Sequence, residues 1–137
     1  MLTGFIGQIL SGYFGDKFDR IKLLSTVFIL LLPLFISIIF VGKKLIIFIS
    51  ILLAILMYSI QPLINSIIKD ITTLKIRSVV FGLNFFLMFG LSGLAAYMGG
   101  LIADNYSFKL IFPIFSLLFP IGFLLLYLLQ MKKKVKV

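Results

Sequence analysis

Four long stretches without an Asp, Glu, Lys or Arg set the limits on what this chain can become. They are residues 23–42, 45–68, 78–103 and 110–131, of 20, 24, 26 and 22 residues. A helix rises about 1.5 Å per residue, so about 20 apolar residues cross a hydrocarbon layer about 30 Å thick. Each stretch is long enough to cross. A fifth run, residues 1–15, is shorter, reaching about 22 Å as a helix. The expectation is the second half of a helix whose beginning is missing, with Met1 an internal start and the chain a fragment. The expected fold is all-α: a polytopic membrane helix bundle, forming one transmembrane domain over residues 1–137. Its parts are a partial helix at 1–15, full helices at about 23–42, 45–68, 78–103 and 108–131, and a basic tail at 132–137.

Composition excludes the alternatives. A chain of 137 residues that is 62% hydrophobic, with mean hydropathy +1.26 and 12% charged residues, cannot hide that much apolar surface in water. The lipid bilayer is its solvent. A net charge of +9 raises nucleic acid as a partner, but the bases lie in short clusters between apolar runs, which is a membrane pattern. With no cysteine and no histidine, disulfides, thiolate sites and the commonest metal ligand are ruled out. No metal, no cofactor and no nucleic acid is expected. No nucleophile–base pair or phosphate-cradling loop is visible, which argues against an enzyme.

The bases also orient the chain. Lys17, Arg20, Lys22, Lys69, Lys75, Arg77, Lys132, Lys133, Lys134 and Lys136 fall on one side of the alternating spans, and Lys43, Lys44 and Lys109 on the other. Ten against three places the first side in the cytoplasm.

The spans differ in character. Residues 23–42 and 110–131 are nearly pure hydrocarbon, with Pro33, Pro113 and Pro120 expected to bend them; they read as an outer wall. Residues 45–68 carry Tyr58, Gln61 and Asn65, and residues 78–103 carry Asn84 and Tyr97, polar groups that hydrocarbon penalises unless they face protein or water. Tyr58, Gln61, Asn65 and Tyr97 are candidates to line a cavity for a polar solute; Asn84 is better suited to interhelical hydrogen bonding. Gly90, Gly93, Ala96 and Gly100 read as packing positions that let another helix come close. These two helices read as the interior. No ionisable residue lies in the middle of a span, so no proton carrier is visible.

One water-facing turn stands out. Gly12-Tyr13-Phe14-Gly15-Asp16-Lys17-Phe18-Asp19-Arg20-Ile21-Lys22 holds five of the seventeen charges. It resembles the loop signature of the major facilitator superfamily, Gly-x-x-x-Asp-(Arg/Lys)-x-Gly-Arg-(Arg/Lys). Gly12, Asp16, Lys17 and Arg20 fit, whereas Asp19 stands where the family has glycine and Ile21 delays the last base to Lys22. Pro62-Leu63-Ile64-Asn65, Arg77 to Gly82 and Gly99 to Asp104 extend the likeness over the whole chain. The resemblance implies the end of the eighth helix and helices nine to twelve of a twelve-helix transporter. An equivalent match to helices two to six exists, because the two halves repeat. The short basic tail and Ala95-Ala96, where proton antiporters of the family have Gly-Pro, favour the C-terminal half. The resemblance further implies that Asp16 meets a helix end of the opposite half and that the neighbouring base locks the outward-open state. The function expected is part of a secondary transporter moving a small solute by alternating access, with the missing N-terminal half as partner. The alternative is a small multi-pass membrane protein, or a degenerate fragment, that does not transport.

Overall fold

The computed structural model describes residues 2–135. It is built of helices α1 (Leu2–Lys17), α2 (Arg20–Ser37), α3 (Lys43–Ile71), α4 (Leu74–Asn105), α5 (Phe108–Ser116) and α6 (Leu118–Val135). Four segments are long and apolar enough to cross a membrane: Arg20–Ser37, Lys44–Ile71, Leu74–Asn105 and Phe108–Met131.

Helix ends follow local chemistry rather than the limits of the charge-free runs. α2 starts at Arg20, three residues before its run, because the Asp19 carboxylate accepts from the amides of Ile21 and Lys22 at 3.0 and 3.1 Å. That satisfies two of the first-turn donors that a helix cannot pair internally. α2 ends at Ser37, five residues short of the expected 42, as the backbone passes through a turn to Gly42, the N-cap of α3. α4 outruns its charge-free stretch at both ends and reaches 32 residues, about 48 Å at helical rise.

Proline acts unevenly. α2 runs through Pro33 and α3 through Pro62, whereas the last span breaks at Leu117. Pro113 and Pro120 bracket that point, and each lacks the amide that would close a helical bond. The Ser116 hydroxyl donates to the Pro113 carbonyl at 2.7 Å and the Leu117 amide to Ile114 at 3.3 Å, tightening the last turn of α5. Pro120 then falls in the first turn of α6, where its missing donor costs least.

The core centres on α2. Ile21, Leu24, Val27 and Leu31 recur at helical spacing and are buried with Leu53, Leu63 and Ile67 of α3 and Leu126 of α6. In lipid such burial lacks the aqueous driving force, and close packing supplies the cohesion. Two contacts show how close it is. α1 lies along α3 with Gly4, Gly7, Ser11 and Gly15 buried between them, and a Cβ on Gly7 would sit 2.2 Å from the Ile55 carbonyl oxygen. Across the core, Gly122 of α6 admits the Phe28 ring, which would lie 2.5 Å from a Cβ there. Phe28, Phe119, Phe35, Phe112 and Phe108 join α2 to α5 and α6 through ring contacts of 5.0–6.1 Å.

Within this chain, burial does not follow the expected division into wall and interior. α2, read as wall, has five buried residues, while α4, read as interior, has Gly99 alone among the described residues. The cause is neighbourhood. α2 touches α1, α3, α5 and α6, whereas α4 touches α3 and α5, the elements on either side of it in the chain.

Candidate gating site at the motif loop

α1 ends at Lys17, and the Phe18 amide closes the turn onto the Phe14 carbonyl at 2.9 Å. Asp19 follows with φ −60° and ψ 116°, an extended conformation that needs no glycine. The substitution of aspartate for glycine therefore leaves the loop intact, because both residues serve well as an N-cap.

Capping fixes Arg20 as the first residue of α2, and its side chain gathers three segments. Nη1 donates to both carboxylate oxygens of Asp70, at 2.7 and 2.8 Å. Nη2 donates to Asp16 at 3.3 Å, and Nε to the Gly15 carbonyl at 3.0 Å. The Gly15 carbonyl belongs to the last turn of α1, which lacks helical partners, so the guanidinium both caps α1 and pairs the last turn of α3. The Arg20 side chain is 28% exposed and that of Asp70 49%, whereas Asp16 is 80% exposed. A pair this accessible to water is worth about 1 kcal/mol at most. Asp70 is thus the principal partner, and Asp16 keeps most of its carboxylate free.

A second arginine finishes the corner. Arg77 Nη2 donates to the carbonyls of Lys69 and Thr72, at 3.0 and 3.2 Å, placing positive charge on the negative end of the α3 dipole. This holds the turn that carries Asp70. Between the corner and α6 lies an open cleft of about 530 Å³, with Asp16, Arg20 and Asp70 among its charged lining and Ile67, Ile71 and Leu129 among its apolar lining. The end of α6 therefore shares one end of the bundle with the motif loop.

The structure brings Asp16 and Arg20 together and leaves the other two signature residues apart. Lys17 folds back on its own helix, with Nζ bonded to the Tyr13 hydroxyl and 4.2 Å from the ring centroid. Gly12 has nothing within 4 Å of where a Cβ would stand. Asp70 was missed by the sequence reading. Its signal was present, since it is one of only four acids and adjoins Lys69 on the strongly basic side.

The polar candidates of α3 and α4 do not converge. Gln61 Nε2 donates to Asn65 Oδ1 at 3.4 Å, one turn along the same helix. Tyr58 lays its ring against Gly4 yet remains 53% exposed, and Tyr97 is 68% exposed on α4. Tyr58, Gln61, Asn65 and Tyr97 do not line the motif-loop cleft or three further clefts of the described residues. Asn84 Nδ2 is buried without a hydrogen-bond partner. Gly90, Gly93 and Gly100 meet nothing within 4 Å and Ala96 is exposed, so the expected packing stripe is unused within the chain.

Comparison with known proteins agrees with the helical pattern. No curated protein and no solved structure matches the chain. The family model described as Major Facilitator Superfamily matches residues 1–137, the full length of a sequence with four segments long and apolar enough to cross a membrane. The chain belongs to the Major Facilitator Superfamily, a family of transporters rather than enzymes.

Proposed function

We propose that the chain works as part of a secondary transporter that moves a small solute across the cell membrane by alternating access, with the motif loop as a latch on its cytoplasmic side. The observation that carries this is the Arg20 hub. It ties the end of α1, the start of α2 and the end of α3 to one another, adding to the packing of α1 along α3 to make the corner one body. Asp16 projects from that body largely free, available to a helix N-terminus of a second half, where a carboxylate gains about 0.3–1 kcal/mol. A contact of that size, made in one state and broken in the other, changes their ratio about two- to fivefold. The ten bases against three support the cytoplasmic assignment.

In this reading the bare face of α4, with Gly90, Gly93, Ala96 and Gly100, receives a helix of the second half. Gln61, Asn65, Tyr58 and Tyr97 then offer hydrogen bonds to a polar solute. Because no ionisable residue lies in mid-span, proton coupling resides in the second half, or transport is passive. The test is Asp16→Asn in the complete transporter, with a single cysteine added on the cytoplasmic side as an accessibility probe. The expected result is a two- to fivefold change in labelling rate; an unchanged rate removes the latch. The scatter of the four polar residues favours the second reading, a multi-pass protein that does not transport, and solute uptake into vesicles holding the complete protein separates the two.

A further inference from the structure

The end of the bundle opposite the motif loop carries a groove that latching does not use. It lies between α2, α3 and α5, has a volume of about 530 Å³, and its lining includes Ile46, Leu53, Ala54 and Met57 of α3 with Lys109 and Phe112 of α5. That volume is in the range of ligand pockets. Its depth is informative. From Ile46 to Met57 the α3 face advances eleven residues, about 16 Å, which is about half of a hydrocarbon core 30 Å thick. The groove is therefore one leaflet deep.

Its polarity is ordered along that depth. Ser50, the lining hydroxyl, already donates to the Ile46 carbonyl at 2.7 Å, so the wall asks for no further hydrogen bond. Lys109 is the charged member of the lining and stands at the mouth, in the first turn of α5, which the Ser107 side chain caps. It enters no ion pair among the described residues. Lys44 is exposed two residues before Ile46. Asp104, the acid of this end, is on α4 and outside the lining. An apolar trough one leaflet deep with a free cation at its mouth matches an amphiphile whose headgroup is anionic.

We infer that this groove seats one acyl chain of an anionic phospholipid from the leaflet opposite the motif loop, with the lipid phosphate at Lys109. The assignment needs the chain to be embedded in a bilayer and is independent of whether it transports. The probe is phosphatidylglycerol, compared with phosphatidylcholine of identical acyl chains, added to the detergent-purified full chain and counted by native mass spectrometry. Phosphatidylglycerol should be retained about fivefold better, the factor that one base near an anionic surface supplies. Lys109→Gln should bring retention down to that of phosphatidylcholine, and Ala54→Phe, which fills the trough, should abolish it. Lys75→Gln, at the other end, should change nothing. Equal retention of the two lipids overturns the inference, as does an equal loss from Lys75→Gln and Lys109→Gln, which marks diffuse attraction. Retention that survives Ala54→Phe, or a groove found filled by a protein segment, also overturns it. If Ala54→Phe fails to fold, the two lysine variants decide the matter.

Discussion

α1 and α4 each carry a stripe of small residues, and the chain treats them in opposite ways. On α1, Gly4, Gly7, Ser11 and Gly15 are buried along α3, and Gly7 comes so close to the Ile55 carbonyl that even one methyl group cannot enter. On α4, Gly90, Gly93 and Gly100 face open space. A small-residue stripe states that a helix can be approached closely. Which helix approaches is decided by the partner's own side chains and position. α1 meets an α3 face that presents Ile55, Tyr58 and Leu63 to it, while α4 has its one buried glycine at Gly99, where an added Cβ would find Ile111 and Phe115 at 3.9 Å.

The contrast can be broken by substitution, and the largest effect belongs to α1. Gly7→Val should destabilise the chain by about 3 kcal/mol, the upper part of the range for overpacking, as read by thermal unfolding in detergent. A loss below about 1 kcal/mol would mean that α1 and α3 are further apart than described. Next is the corner that follows α1. Asp19→Ala should cost about 1 kcal/mol by removing the α2 cap, whereas Asp19→Gly should cost a few tenths; an equal loss for both would deny the capping role. Smaller again is the ion pair: a double-mutant cycle on Arg20→Ala and Asp70→Ala should give a coupling of about 0.5–1 kcal/mol, and the same cycle with Asp16→Ala less. A larger coupling to Asp16 would reverse the order of partners. Smallest is Gly93→Ala on α4, expected within about 0.5 kcal/mol of zero in this chain, with alanine's helix preference favouring a slight gain. A clear loss would reveal a helix packed on that face.

The spans were readable from the sequence because a bilayer tolerates few charges, so charge-free runs mark its thickness. Helix ends were not, because single residues such as Asp19, Gly42 and Ser107 decide them. Arg20 was found through its signature, but its main partner lies fifty residues on at Asp70, beyond the reach of any local pattern. Burial within this chain is hidden from sequence for a related reason. Polarity ranks helices by what they can tolerate, and it set Leu31 on an outer wall, although four helices surround α2 and leave Leu31 with no exposed surface. Length alone says nothing of how the run at 1–15 packs, so the close approach of Gly7 to Ile55 is hidden from it.

Arg20 and Asp70 hold the motif corner together. The chain has no native cysteine, so Thr73→Cys, in the turn between α3 and α4, gives a single labelling site three residues after Asp70. Arg20→Asp and Asp70→Arg should each speed labelling, and the two together, which restore opposite charges in exchanged places but set a carboxylate beside Asp16 and the Gly15 carbonyl, should label more slowly than either single variant. A double variant that labels as fast as the faster single one would show that the pair does not hold the corner.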